Sequence, residues 1–197
     1  MINLSSYLVK LVTNNWCCVF LASLLFFSCN KSSEINKEFN CSKTEFTNLE
    51  DVTDVRDLFS IQLPKDWKIN LYEDETQSSI FAADTTKQLT ETVLLDITFI
   101  KNKINFDEAF LLSQEQENLA RNLIKTKSKK VTLLEKPSLY IIYKGKKGKF
   151  HYQTCHTFIK INEDNFIFAK TEVYGDSLVD VRFCKAIQLI ENIKINQ

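Results

Sequence analysis

Apolar and polar residues alternate along most of the chain after residue 58, with the period of two that is typical of β-strands. The first alternating stretch, Phe59 to Leu63, ends at Pro64, and a second begins at Trp67. We expect these two strands to form a compact hairpin around the corner between them. Later alternations predict strands over 79–83, 93–100, 131–135, 139–144, 149–161 and 166–174. Turn residues between the last of these predict an antiparallel meander.

Two segments change to a period of about 3.6 residues, which predicts helices. In the first, Asn105 and Glu108 have the spacing of an N-cap residue and its reciprocal partner. We expect this helix to end in the basic run 125–130, because cations suit a helix C-terminus. Its apolar stripe consists of Phe106, Ala109, Phe110, Leu112, Leu119, Ala120, Leu123 and Ile124. The second helix follows the turn 175–177, and its apolar face consists of Val179, Phe183, Ala186, Ile187, Ile190 and Ile193.

The order strands, helix, strands, helix predicts an α+β domain, a mostly antiparallel β-sheet with a mid-chain and a C-terminal helix packed on it. Residues 55–197 are long enough for one such domain. The opening FSIQLPKDW, residues 59–67, followed by these elements, resembles the PsbP-like α/β/α sandwich family, and the resemblance spans about residues 58–195. Members of that family are mostly binding or accessory proteins. The resemblance therefore implies interaction more than catalysis.

The first 29 residues carry the pattern of a signal peptide. A leader with Lys10 and no acid precedes twelve apolar or small residues, 16–27, fewer than the roughly 20 that span a membrane. Ser28-Cys29 then resembles a bacterial lipobox, although Phe26 stands where leucine is usual. The resemblance implies removal of residues 1–28, a diacylglyceryl group and an acyl chain such as palmitate on Cys29, and anchoring to a bacterial membrane. We expect the outer membrane, with the domain in the periplasm or at the cell surface. The alternatives are an ordinary secretory signal and an uncleaved anchor.

Residues 29–54 are rich in Ser, Asn, Lys and Glu and show little periodicity, which predicts a flexible tether. With Cys29 lipidated, Cys41, Cys155 and Cys184 remain in the mature chain. We expect a disulfide between Cys155 and Cys184, since both lie in predicted core elements and the cell envelope is oxidising. Alternatively, the cysteines are buried, unpaired and act as small apolar residues.

Charge is balanced overall but unevenly distributed. The mature chain carries 24 basic and 25 acidic side chains, which argues against nucleic-acid binding. Residues 34–84 hold twelve acids against five bases, whereas 101–149 hold twelve bases against five acids. The basic part predicts either a solvated face or a surface for an anion or a partner. Its centre, around a predicted turn, consists of Lys144, Lys146, Lys147 and Lys149.

Two clusters carry chemically versatile side chains without a spacing that fixes a site. His151 and Cys155 share a strand face but lie about 13 Å apart, and His156 points to the opposite face. We therefore expect no metal site and no cofactor. An acidic loop could act on a glycan or hold calcium, but a solvated loop is the simpler interpretation. It consists of Asp66, Glu73, Asp74 and Glu75.

These patterns favour a non-enzymatic envelope lipoprotein that binds another envelope protein or a small ligand. One alternative is a hydrolase of cell-wall or glycan material that uses the acidic loop. Another is an immunity-type lipoprotein that captures a toxin through its charged surface.

Overall fold

The computed structural model describes residues 33–196, so Cys29 and the predicted leader lie outside the described residues. Within that range the helices are α1 (Glu34–Glu38), α2 (Glu108–Leu119) and α3 (Val179–Ile190). The strands are β1 (Leu49–Thr53), β2 (Phe59–Pro64), β3 (Lys68–Glu73), β4 (Gln77–Ala83), β5 (Leu94–Ile100), β6 (Leu123–Leu133), β7 (Lys136–Lys147), β8 (Phe150–Lys160), β9 (Phe166–Tyr174) and β10 (Lys194–Ile195). None of the helices in this part of the chain is long and apolar enough to cross a membrane.

Seven strands form one antiparallel sheet in the order β3-β4-β5-β9-β8-β7-β6, and β1-β2-β10 form a second, smaller sheet. The mid-chain helix α2 and the C-terminal helix α3 are both present where the sequence places a helix. The predicted α+β class, with a mostly antiparallel sheet, is therefore confirmed.

The main core lies between α3 and one face of the large sheet. Phe183, Ile187 and Ile190 on α3 are at most 2 % exposed and pack against sheet residues such as Leu95 and Ile167. The apolar face predicted for this helix is confirmed within 179–190, and Ile193 lies just after the helix and is also buried. Burial of each of these side chains stabilises the fold by roughly 1.5–3 kcal/mol, which offsets the conformational entropy lost when the helix is ordered.

The predicted hairpin of the first two strands is wrong. β2 pairs with β1 and β10, whereas β3 pairs with β4 in the other sheet. The Trp67 amide donates to the Pro64 carbonyl oxygen over 3.0 Å, so the chain turns between the two strands and passes from one sheet to the other. The backbone groups of β2 are paired by a strand from the segment that the sequence marks as a tether.

Residues 33–54 are folded onto the domain and do not form the tether that their composition predicts. The side chain of Ile35 in α1 is 0 % exposed, and the Phe39 ring lies 5.6 Å from that of Tyr140 between centroids. Cys41 is joined by a disulfide to Cys184. A few apolar anchors and one covalent bond thus order a polar segment that local composition alone would leave unfolded.

The predicted disulfide between Cys155 and Cys184 is wrong. Cys184 lies on α3 and bonds to Cys41 in the segment that covers this helix. Cys155 lies in β8, is 2 % exposed, and is unpaired among the described residues. Burial raises the pKa of its thiol to about 12. It serves as a small apolar residue, which is the alternative that the sequence leaves open.

Helix α2 is shorter than predicted at both ends. Asp107, and not Asn105, caps it by accepting a hydrogen bond from the Phe110 amide over 2.9 Å. The helix ends at Leu119, and Asn122, with a φ of 59°, turns the chain into β6. Leu119 and Ile124 from the predicted stripe are 59 % and 66 % exposed. The basic run 125–130 is part of the edge strand β6, where lysines hinder pairing with another chain.

Candidate ligand-binding cavity

Helix α2 covers only part of the second face of the large sheet. The Phe110 ring packs edge-on against Phe158 with centroids 5.1 Å apart. Where α2 ends, a cavity of about 240 Å³ opens between the helix and the sheet. Its lining comes from the end of α2, the turn that follows and four strands of the sheet. The lining residues are Asn118 of α2, Arg121 of the turn, Leu123 of β6, Lys146 and Lys147 of β7, Tyr152 and His156 of β8, and Lys170 of β9.

Strand register brings the sheet residues of the cavity together. His156 of β8 lies opposite Lys170 of β9, and Thr154, two residues away, lies opposite Glu172. Because side chains alternate between faces, these residues share the face that α2 covers. On the other face of β8, Cys155 packs in the main core, so His156 and Cys155 point apart as predicted.

Gly145 allows the chain after α2 to approach β7 closely. A Cβ at this position would meet the Asn122 carbonyl oxygen and would lie 2.7 Å from Leu123 Cδ2. Any larger residue would push this segment outward. Since Arg121 and Leu123 belong to that segment, Gly145 sets the position of one wall of the cavity.

His156 is buried at the cavity without a hydrogen-bond partner. Its side chain is 4 % exposed, and neither Nδ1 nor Nε2 bonds to any other described residue. Burial, reinforced by Lys170 and Arg121, lowers the pKa of His156 to about 3. The ring is therefore neutral near pH 7, with one nitrogen that donates and one that accepts. An unmet buried polar group costs about 1–3 kcal/mol, so water or a ligand is expected to satisfy it.

Asn118 adds a second unmet polar group. Its amide nitrogen donates to the Gln114 carbonyl oxygen over 2.7 Å, but its Oδ1 lacks a partner within residues 33–196. The neighbouring Tyr143 hydroxyl is also without a partner in that range, and burial raises the pKa of Tyr143 to about 12. Two neutral polar side chains with unmet atoms, His156 and Asn118, therefore line the cavity.

Two of the cationic side chains in the cavity are partly neutralised by Glu172. Lys170 forms a close ion pair with Glu172, and Lys147 Nζ lies 3.4 Å from Glu172 Oε2. Burial acts to raise the pKa of Glu172, but the two lysines outweigh it and hold the pKa below its ordinary value. The Tyr174 hydroxyl also donates to this carboxylate over 3.2 Å. Glu172 is therefore ionised and has its own partners.

The other two cations are free of ion pairs. Arg121 and Lys146 are both exposed, and neither forms a salt bridge in the part of the chain that the structure describes. Four cations line the cavity, and one contacting carboxylate, Glu172, opposes them. The arrangement favours an anion near Arg121, because the strand register places the Lys146 side chain on the opposite face of β7, together with that of Lys144.

The four lysines that the sequence singles out do not share one site. Lys146 and Lys147 line the cavity, whereas Lys144 lies at a separate depression beside Asp176 and Asp180. The Lys149 Nζ sits 5.4 Å from the Phe150 ring centroid. A joint surface of these lysines for an anion or a partner stays a prediction.

Sequence patterns miss most of the cavity. His156 is considered there only as a metal ligand, and Asn118, Arg121, Lys170 and Glu172 are not singled out. A signal does exist in β9, where Phe166 and Phe168 are followed at alternate positions by Lys170 and Glu172. A strand face that changes from apolar to charged residues indicates that the element packed on that face ends at this point.

Hydrogen bonds and an ion pair hold the acidic loop in place. Asp74 accepts hydrogen bonds from the Thr76 and Gln77 amides, over 2.8 and 3.0 Å, and these bonds lower the pKa of Asp74. Arg56 Nε donates to Glu73 over 2.8 Å. These contacts fix the turn between β3 and β4.

The residues considered for a metal site are also separated. His151 is exposed, with Nδ1 3.5 Å from Asp176 Oδ2, while Cys155 and His156 lie on opposite faces of β8. Within residues 33–196, no group of three or more His, Cys, Asp or Glu side chains is placed to hold a metal ion.

No protein-family model matches this sequence, and no curated protein matches it either. Solved structures do resemble it. Cyanobacterial PsbP (CyanoP) from Synechocystis sp. PCC 6803 has a TM-score of 0.55 at 10 % identity, covering 79 % of this chain and 96 % of its own. The Ran-binding protein Mog1p of Saccharomyces cerevisiae has a TM-score of 0.53 at 8 % identity, covering 77 % and 97 %. At such low identity the likeness establishes the fold alone, and the chain has a PsbP- and Mog1-like α+β fold.

Proposed function

We propose that this protein is a lipid-anchored, non-enzymatic binding protein of a bacterial cell envelope and that the cavity beside α2 holds a small ligand. The observation that carries the proposal is the buried, unpartnered His156 in a cavity lined by four cations. A cavity with unmet polar groups and excess positive charge is suited to binding.

The chemistry of the cavity favours binding over catalysis. A histidine with a pKa of about 3 is a poor general base near pH 7. Glu172 is ion-paired and its pKa is lowered, so it is unsuited to act as a general acid. Burial raises the pKa of Tyr152, which keeps its hydroxyl protonated.

The lipobox-like Ser28-Cys29 supports the anchor, because two or more acyl chains hold a protein stably on a bilayer. Ser33 already caps α1, so only residues 30–32 separate Cys29 from the folded chain. An anchor at Cys29 would therefore hold the domain close to the membrane surface, and not at the end of a long tether.

The anchor is tested by labelling cells with a palmitate analogue. We expect the wild-type protein to be labelled and Cys29→Ser to be unlabelled. Persistent labelling of Cys29→Ser would refute the anchor.

The ligand is tested by extracting the protein gently from its own membranes, denaturing it, and identifying released small molecules by mass spectrometry. We expect a molecule that is present with wild-type protein and depleted in Arg121→Gln, which removes the exposed cavity cation that has no ion pair among the described residues. The matched control Lys144→Gln also removes one exposed charge, but at a separate depression outside the cavity, and should retain the molecule. Equal amounts from all three proteins would contradict the proposed function. A bound protein in place of a small molecule would make this chain an accessory subunit instead.

A further inference from the structure

The N-terminus of α3 exposes a leucine in an unfavourable backbone conformation. Leu178 stands at the N-cap position with a φ of 50°, in the left-handed region that few residues other than Gly, Asn and Asp adopt. It forms no side-chain cap hydrogen bond, although residues that form one are preferred at this position. Its side chain is 69 % exposed, so packing within the domain does not compensate for the strain. A strained residue without such compensation indicates a role in binding.

Leu178 and Val181 form an apolar ridge between two depressions. Both residues line a depression of about 210 Å³ on one side of the ridge and a more open one of about 490 Å³ on the other. Val181, three residues further along the chain, is 59 % exposed. A ridge directly beside a depression is complementary in shape to a second copy of itself, because each ridge can enter the depression of the other copy across a two-fold axis.

Basic side chains border the ridge on the side of the sheet. Lys144 lines the larger depression, and Lys146 lies two residues further along β7 on the same face, since the two residues are paired with Gln153 and His151 of β8. Both lysine side chains are exposed, and neither forms a salt bridge with any residue that the structure describes.

Acidic side chains border the ridge on the side of the helix. Asp176 and Asp180 are exposed and line the larger depression together with Lys144. Asp180 forms no ion pair within residues 33–196, and Asp176 contacts only His151, with 3.5 Å between Oδ2 and Nδ1. Charges of both signs therefore flank the ridge without neutralising each other within the chain. Across a two-fold axis, the basic side of each copy would meet the acidic side of the other.

We propose that the ridge of Leu178 and Val181 is a self-association surface, through which two copies of this chain form a two-fold symmetric dimer. The ridge of each copy enters the larger depression of the other, and the two lysines of each copy face the two aspartates of the other. A partner with one sign of charge, such as an anionic membrane, would meet like charge from one of the two sets. The inference is independent of the proposed ligand, because the cavity beside α2 lies on the other face of the sheet.

The first test is sedimentation equilibrium of the full-length protein in density-matched detergent micelles, which reports the mass of the protein without that of the detergent. Micelles are kept in excess, so that two chains do not share one micelle by chance. We expect a reversible monomer–dimer equilibrium for the wild-type protein. A protein that stays monomeric up to about 100 μM would overturn the inference, because specific interfaces associate below that concentration.

Variants of the ridge locate the interface. Leu178→Asn/Val181→Gln should weaken dimerisation by about tenfold or more, because it removes the apolar side chains that the second copy buries. The matched control Leu112→Gln/Leu119→Gln removes two leucines of similar exposure on α2, and it should change dimerisation by less than about twofold. Equal effects of the two double variants would overturn the inference.

Leu178→Asn alone separates association from stability. Asn adopts the left-handed conformation readily and is a good N-cap residue. When diluted to the monomer, this variant should therefore unfold at the same temperature as the wild-type protein or at a higher one, although its dimer is weaker. A lower unfolding temperature would show that the Leu178 side chain stabilises its own chain, and it would overturn the inference.

Charge reversal tests whether the partner is a second copy. Lys144→Glu/Lys146→Glu and Asp176→Lys/Asp180→Lys should each weaken dimerisation by about tenfold or more, because like charges then face each other. An equimolar mixture of the two variants should dimerise to within about threefold of the wild-type protein, since one copy is then acidic on both sides of the ridge and the other is basic. A mixture that associates no better than its components would overturn the inference.

Discussion

The disulfide between Cys41 and Cys184 should contribute a large part of the stability of the domain. It joins residues 143 positions apart in the sequence. A loop of that length gives about 5 kcal/mol from chain entropy at 25 °C, while measured disulfides typically contribute about 2–4 kcal/mol. We expect the lower range, because other contacts also hold this segment. Asn36 donates to Glu191 over 2.6 Å, and Gln188 donates to the Ser42 carbonyl oxygen over 2.8 Å.

The assay is urea unfolding of the full chain in mild detergent, followed by circular dichroism with and without dithiothreitol. Reduction should lower the midpoint of the wild-type protein by about 1–2 M urea, for a slope of about 2 kcal/mol/M. Cys41→Ser/Cys184→Ala should unfold at that lower midpoint and should not respond to the reductant. Cys155→Ala is the matched control and should respond as the wild type does. A wild-type midpoint that is unchanged after both thiols are shown to be free would refute the reasoning.

Three further changes test the packing of the described chain by urea unfolding. Gly145→Ala places a Cβ against the chain after α2 and should cost about 1–3 kcal/mol; Gly148→Asn, at a turn with open space, should cost less, and equal losses would argue against the close approach. His156 has a pKa of about 3 when folded, below its ordinary 6.5, so the unfolded chain binds the extra proton and stability falls as pH drops from 6 to 4. His156→Gln should flatten that dependence by about 1.4 kcal/mol per pH unit, and an unchanged slope would mean that His156 is not buried as a neutral ring. Arg182 is 6 % exposed and donates to four main-chain carbonyls, so Arg182→Met should cost about 3 kcal/mol or more. The exposed Asp180→Asn on the same helix should change stability by less than about 1 kcal/mol, and an equal effect would count against a structural role for Arg182.

Hydrophobic periodicity correctly predicts the helices and strands that bury one continuous apolar face. Phe183, Ile187 and Ile190 recur at helical spacing and do form the buried face of α3. The alternating strands likewise appear in the sheet. In both cases the pattern reflects one continuous apolar surface, so neighbouring residues are enough to reveal it.

Elements that depend on distant partners are predicted poorly. The segment around Ile35 and Cys41 is polar on average, and its order comes from α3 and from a disulfide to Cys184. Residues 119–124 have apolar side chains at helical spacing, yet the chain forms β6 from Leu123 onward because this segment pairs along most of β7. Tertiary pairing outweighs local propensity in such places.

The cavity is visible in the sequence only through its charges. Lys146 and Lys147 stand out because they lie in a basic cluster, but Arg121 and His156 reach the same cavity from separate elements. Their proximity depends on the register of β7, β8 and β9 and on the point where α2 ends. Neither the strand register nor the end of α2 is determined by residues that are adjacent to the cavity residues in the sequence.

The central claim is that this protein is an anchored binding protein with a small ligand beside α2. Native mass spectrometry of the full-length protein, released from its own membranes in detergent, tests it most directly, since one spectrum reports both the covalent N-terminus and the bound species. We predict a mass that starts at acylated Cys29 and carries one small molecule, and loss of that molecule in Arg121→Gln. An unlipidated chain without a bound molecule would contradict the account.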